Sequence, residues 1–418
     1  MEEWKEYKLR DLYDVHNGLS KGGKFFGSGY PFLSFKTVFN NYFLPPVLPD
    51  LVQSDEKEQG GYDIKRGDVF VTRTSETPEE LGMSSVALKD YPFATYNGFT
   101  KRLRPKDTSI IYPEFIGYYL RSTKFRALFY GLASSMSTRA SLANGDLLGM
   151  KVFIPTFATQ EKIAKILKSL DDKIEVNRKI NENLEQQAQA LFKYWFVDFE
   201  PFKDGEFVES ELGMIPKGWR VVSFKNVCKN ITDGVHNTVK DDLNGNYYLL
   251  SCKNIKGGYV SIGKDERRID LITFEKLRKR TKLQKGDILL SSVGTIGEMV
   301  LLNEEPINYE FQRSVAIIKP NTEMISSEFL YYTMKNQKDV IIHSAHGAVQ
   351  QCLFISDVAN FITIYPPYEI IQRFTTIVRG LHNIITNNRQ ESRRLATLRD
   401  TLLPKLMSGE LKVNEVEI

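Results

Sequence analysis

The chain has 418 residues, 42% of them hydrophobic and 12% aromatic, so it is globular and too long for a single domain. A formal net charge of +4 permits nucleic-acid binding through local patches without demanding it. The three cysteines lack metal-type spacing and no run of eighteen apolar residues occurs, which argues against a disulfide framework and a membrane span and for a cytoplasmic location.

From the N-terminus, Trp4 with Leu9 and Leu12 opens a mixed pattern, followed by Leu33-Ser34-Phe35-Lys36-Thr37-Val38. Arg66-Gly67-Asp68-Val69-Phe70-Val71 reads as a turn running into a buried strand. Short β-rich runs at 69–72 and 86–88 alternate with Gly and Asn turns, and a helix is predicted over 113–130. Residues 1–153 therefore form an α+β module.

Residues 154–199 read as one long helix. Steps of four and three give Ile163, Leu167, Leu170, Ile174, Asn177, Asn181, Leu184, Ala188, Leu191 and Trp195, a heptad seam with two polar layers. At 1.5 Å per residue this helix would be roughly 55 Å long. Residues 200–218, with Lys-Asp-Gly and Ile-Pro-Lys-Gly, read as a surface connector.

Beyond the connector the pattern begins again. Trp219 with Phe224 and Val227 echoes Trp4, Leu9 and Leu12, and Leu250-Ser251-Cys252-Lys253-Asn254-Ile255 echoes the run at 33–38. Lys285-Gly286-Asp287-Ile288-Leu289-Leu290 repeats the Gly-Asp turn. Lys319-Pro320, Glu328-Phe329 and Asp357-Val358 repeat Arg104-Pro105, Glu114-Phe115 and Asp146-Leu147. Offsets drift only from 211 (Asp146 to Asp357) to 219 (Gly67 to Gly286), which marks a duplication of modules, with a second helix predicted over 326–343. Residues 219–364 are the second module.

Residues 365–412 repeat the long helix, with a seam of Phe374, Val378, Leu381, Ile385, Asn388, Ser392, Leu395, Arg399, Leu402 and Leu406. Its polar layer falls at the same depth, and buried Asn pairs fix register, so the two helices are each other's expected partners. Pro404 is expected to end or kink the second helix near its last turn. The short connector favours an antiparallel pair. The expected fold is α+β: two tandem α/β modules separated by two long antiparallel coiled-coil helices, pseudo-two-fold symmetric. The plainer alternative is two amphipathic helices on unrelated cores.

Catalytic motifs are mimicked but incomplete. Phe25-Phe26-Gly27-Ser28-Gly29 has the shape of an S-adenosylmethionine loop, yet Tyr30-Pro31 follows where a helix must start. Tyr365-Pro366-Pro367-Tyr368 lacks the acidic or amide residue of an amino-methyltransferase, and Asp55-Glu56-Lys57 after Pro49-Asp50 reads as a solvated charge run. No ATP loop and no metal-spaced histidines occur among His16, His236, His343, His346 and His382. No catalytic or metal site is assigned.

Two diverged modules on a rigid spacer suit an extended partner with repeating faces, and duplex DNA is the obvious one. Candidate contacts are Lys21, Lys24, Lys36, Arg73, Thr74, Arg102 and Arg139 in the first module. In the second they are His236, Asn237, Lys253, Asn254, Arg313, Gln350 and Gln351, with Arg278, Lys279 and Arg280 as a phosphate patch. Gly131, Gly145 and Gly347 are expected to shape the same loops, and Lys36 and Lys253 form a matched pair. Each competes with the plainer reading of a solvated surface residue.

The connector Glu211-Leu212-Gly213-Met214-Ile215-Pro216-Lys217-Gly218-Trp219, the Gly-Asp turns at Gly67 and Gly286, and Pro155-x4-Gln160 and Pro367-x4-Gln372 at the helix starts resemble the specificity (S) subunits of type I restriction-modification systems. That resemblance implies that the modules are target recognition domains, each reading half of a split asymmetric site in double-stranded DNA. It implies that the helices space them and dock two methyltransferase (modification) subunits, through which restriction subunits join. The chain itself would be non-catalytic and bind no cofactor, with S-adenosylmethionine, ATP and Mg2+ held by partner subunits. A stand-alone DNA-binding or coiled-coil adaptor, and a self-contained methyltransferase or nuclease, are the competing classes.

Overall fold

The computed structural model describes residues 4–75, 80–134, 140–263, 265–347 and 351–415. It divides into two compact units, Met1–Val176 with Glu391–Ile418, and Asn177–Gln390. The division falls inside both long helices, at their polar layer. The reason is burial: Ile163, Leu167, Leu403 and Leu406 belong to the same core as Val69, Leu103 and Phe115, so each module incorporates half of each helix.

In the first unit an antiparallel sheet runs, in spatial order, Tyr13–Asn17, Thr100–Pro105, Val69–Thr72, Ser84–Val86. Strand alternation sends Val69, Val71 and Leu103 into the main core with Phe115 and Phe125, while Phe70 on the opposite face joins Leu33, Tyr91 and Tyr96 in a second core. A smaller sheet orders Asp50–Val52, Phe26–Leu33 and Thr95–Tyr96, the last pair parallel. Lys5–Lys8 pairs with Lys151–Ile154, the strand that leads into the first long helix.

The second unit repeats this topology. Its sheets order Cys228–Asp233, Val315–Pro320, Ile288–Ser291, Met299–Leu301, and Arg268–Ile269, Tyr247–Leu250, Tyr309–Phe311 with the last pair again parallel. Arg220–Ser223 pairs with Ile362–Tyr365. The Gly-Asp turn is one device built twice. Gly67 and Gly286 sit at φ +90 and +89, a conformation glycine adopts at no steric cost. Their N–H groups donate to Ala87 O and Leu302 O, both at 2.8 Å. The following carboxylates, Asp68 and Asp287, accept the Lys65 and Gln284 N–H groups and pair with Arg104 and Lys319.

The long helices span Phe157–Phe196 and Tyr368–Ser408. In the second unit the Asn177 amide donates to Asn388 O at 3.4 Å, Asn388 donates to Asn181 Oδ1 at 2.9 Å, and the Phe192 and Phe374 rings lie 5.8 Å apart, so the halves run antiparallel. In the first unit Asp171 pairs with Arg399 at 2.6 Å and Lys173 with Glu391 at 3.4 Å, in the same sense. Of the seam residues, Leu170, Asn177 and Ile385 are buried, and Ile174, Leu184, Leu381, Asn388 and Leu395 are half-buried.

Two expectations need correction. The second long helix continues through Pro404 to Ser408, because Leu403, Leu406 and Met407 are buried in the first unit's core and hold the last turn. The helix read over 113–130 is two, Pro113–Tyr119 and Thr123–Ser134, with Ser122 Oγ accepting the Phe125 N–H. Its counterpart likewise divides at Gln337 into Ser327–Asn336 and Lys338–His343. The connector is a β-hairpin, Phe207–Ser210 with Gly213–Pro216, which buries Ile215 and leads to the buried Trp219.

Candidate nucleic-acid interface

Each four-stranded sheet ends in the same closed turn. In the first unit Gly18 N–H donates to Thr100 O (3.2 Å), Leu19 to Tyr96 O (2.8 Å) and Gly98 to Leu19 O (2.8 Å). Arg73 N–H then donates to Phe99 O (2.8 Å), and Leu142 N–H to Arg73 O (2.8 Å). The second unit makes the same five bonds: Gly234 to Val315, Val235 to Phe311, Arg313 to Val235, Ser292 to Ser314 and Leu353 to Ser292, at 2.8 to 3.1 Å. Glycine opens both because the backbones nearly touch: a Cβ on Gly18 would lie 2.0 Å from Asn97 O, and one on Gly234 2.1 Å from Phe311 O. The backbone is therefore fixed in duplicate while the side chains differ. Asn97, Gly98, Phe99, Arg73 and Lys101 in the first unit correspond to Gln312, Arg313, Ser314, Ser292 and Ala316 in the second.

The first-module candidates scatter around this turn. Arg73 is in it, with its backbone held on both sides and Nη1 3.5 Å from Gly98 O. Thr74 follows in the strand Thr74–Ser75, paired with Ala140–Ser141. Lys21 is tied to Glu58 at 2.7 Å and Lys24 lies over the Phe25 ring. Lys36 is exposed on the short helix Phe35–Asn40. Arg102 is a correction: it is buried, donates to Asp63 Oδ1 at 2.7 Å and stacks over Tyr96, bracing the second core. Gly131 and Gly145 are helical rather than loop-forming. Arg139 lies outside the described residues.

The second turn gathers more of its candidates. His236 sits beside Asp233 with Nε2 2.6 Å from Oδ2, Asn237 follows it exposed, and Arg313 is exposed on the turn itself. Gln351 is exposed next to Cys352, which bridges Val293 and His346, and Gly347 has φ +108 beside it. Cys252 N–H donates to Ser314 Oγ at 3.1 Å, placing the exposed Lys253, paired with Glu266, close by. Lys279 and Arg280 are exposed, and Arg280 Nη2 donates to Asp233 O at 2.8 Å. Two corrections apply. Asn254 is buried and closes its own turn through Ser251 N–H and Ser261 O, both at 2.9 Å. Arg278 is not phosphate-facing: it donates to Tyr309 O at 3.0 Å and to the fully buried Glu310, whose carboxyl burial pushes up despite that partner. Gln350 lies outside the described residues.

Asn97, Phe99 and Lys101, with Gln312 and Ser314, are the turn residues that sequence reasoning missed. A signal existed: Asn97 and Gln312 each stand the same distance before the matched Pro105 and Pro320. The turns offer amide, guanidinium and ammonium groups able to meet base edges and phosphates. The enzyme mimics take other roles. Gly27 and Gly29 lie within the strand Phe26–Leu33, Asp55 caps a helix by accepting Glu58 N–H at 2.8 Å, and Tyr365-Pro366-Pro367-Tyr368 joins a strand to the second long helix. Among the described residues no group of three His, Cys, Asp or Glu is placed to hold a metal ion, and no helix is long and apolar enough to cross a membrane.

Two α/β modules of one topology, each closed by one turn with its own side chains and built on an antiparallel helix pair, define a duplicated recognition scaffold. The family model described as "Type I restriction modification DNA specificity domain" matches residues 1–186 and 216–399. The chain thus belongs to the type I restriction-modification DNA specificity family, and DNA sequence specificity is its role. It is similar to the type I restriction enzyme MjaIX specificity subunit of Methanocaldococcus jannaschii, 29% identical over 99% of this chain and 95% of that protein. The HindI specificity subunit of Haemophilus influenzae is 26% identical over 98% of this chain and 100% of its own. The crystal structure of a type I S subunit from M. genitalium matches at 15% identity with a TM-score of 0.54, covering 97% and 96% of the two chains, and shares the fold.

Proposed function

We propose that each module reads one half of a split, asymmetric site in double-stranded DNA. The long helices set the gap between the halves and recruit two methyltransferase subunits, through which restriction subunits join. The chain supplies no catalysis in this reading. S-adenosylmethionine, ATP and Mg2+ belong to the partner subunits.

The observation that carries this reading is the duplicated turn: identical backbone bonds hold Arg73 and Asn97 in one module and Ser292 and Gln312 in the other. A shared scaffold with different donors and acceptors supports two half-sites of different sequence, since base edges are told apart by hydrogen-bond pattern. Lys279 and Arg280, exposed and adjacent, suit phosphates, which position a protein without reading sequence.

The test is to co-express the chain with the methyltransferase encoded beside it and map methylated bases genome-wide. A split motif with two unlike halves, lost when the chain is omitted, is the expected result. A continuous or palindromic motif, or methylation that persists without the chain, refutes the reading.

A further inference from the structure

Lys101 is only 4% exposed, yet its ammonium group meets a neutral partner, Asn144 Oδ1. No carboxylate among the described residues pairs with it or with Arg73. Burial and the neighbouring Arg73 charge both push the Lys101 ammonium below its ordinary range. The two residues are neighbours at the sheet end, where Lys101 pairs with Val71 and the Arg73 N–H with Phe99 O, and among the described residues neither cation has an anionic partner. Such an arrangement is costly unless something supplies acceptors. The scaffold does not require it: the second module closes the same turn with Ser292 and Ala316 at the matching positions.

Arg73 is also pre-set. Its N–H and C=O are both hydrogen-bonded at 2.8 Å, which fixes where its side chain leaves the turn, and among the described residues its guanidinium makes only a 3.5 Å contact, to Gly98 O. A positioned fork carrying only donors, with a second donor-only cation behind it, matches a base edge that carries only acceptors. In the major groove guanine presents two such acceptors, N7 and O6, to a fork, whereas adenine and cytosine present an amino group and thymine a single acceptor beside its methyl group.

We propose that Arg73 is a specificity-determining residue that reads a guanine in the half-site of the first module, with Lys101 as a positioning residue that keeps its guanidinium turned toward the DNA. This rests on the reading of the modules as half-site readers.

The test uses the full chain co-expressed with its methyltransferase, as wild type, Arg73→Ser and Arg73→Lys, with methylated motifs mapped by sequencing. Serine is what the second module carries at this turn, so the fold is kept; lysine keeps the charge without the fork. Both variants are expected to lower the preference for guanine at one position of one half about 10- to 100-fold, leaving the other half unchanged. An even loss of methylation with the motif intact in Arg73→Ser, restored by Arg73→Lys, would make Arg73 a phosphate contact and overturn the proposal. A wild-type motif with no guanine in either half would overturn it too. If the wild-type chain directed no split motif, the half-site reading itself would fail instead.

Discussion

Asn177, fully buried in the helix pair, donates to Asn388 O across it. A polar residue at a seam position specifies register at a cost in stability. Asn177→Leu is accordingly expected to stabilise the fold by about 1 kcal/mol, raising the unfolding midpoint, while letting the register vary; thermal unfolding with mapping of the methylated motif would show a more stable chain and a less uniform gap between half-sites. Gly234 carries the opposite expectation. A Cβ there meets Phe311 O at 2.1 Å, so Gly234→Ala should destabilise the second unit by about 1–3 kcal/mol in urea unfolding. At this scale the sequence was legible where burial dictates residue type: the Gly-Asp turns and seam asparagines could be read from spacing. Charged residues could not be sorted, because Arg102 and Arg278 look the same in sequence as Arg73 and Arg313. Only the packing shows that Asp63 and Glu310 hold the first two.

At the scale of elements, the helices and modules are joined by polar contacts in different versions. Tyr118 donates to Asp171 at 2.6 Å in the first unit, and Tyr332 to Glu185 at 3.2 Å in the second. The second version adds His382, whose Nε2 lies 2.7 Å from Tyr332 Oη, with Lys335 2.8 Å from Glu185 and Arg389 and Glu328 also near. Burial holds the His382 imidazole below its ordinary value. The unfolded chain then binds a proton that the folded chain resists, so stability is lost as pH falls below about 6.5. Burial raises the Glu185 carboxyl, but Lys335 outweighs it and the net position is below the ordinary value, so its contribution is lost only at more acidic pH. The second unit should therefore melt at a lower temperature at pH 5.5 than at 7.5, and His382→Gln should flatten that difference. A wild-type melting curve indifferent to this pH range would contradict the assignment. Helix periodicity was visible in sequence. The breaks at Ser122 and Gln337 were not, since local capping decides them, and neither was the persistence of helix through Pro404, which depends on what its neighbours bury.

For the whole molecule, duplication was the legible feature because buried anchors keep their order. The recognition turns were less legible for the same reason: their exposed side chains are where the copies diverge, so matching residues such as Arg73 and Ser292 share no type. If the helix pair sets the gap between half-sites, inserting seven residues into each long helix at the polar layer, a rise of about 10 Å, should lengthen that gap while leaving both half-sites unaltered. An unchanged gap would remove the helices from that role. The most direct measurement exchanges the first module, residues 4–153, for that of a related specificity subunit and maps the methylated motif. One half of the motif is expected to change while the other is kept; a motif that changes in both halves, or in neither, would contradict half-site reading by separate modules.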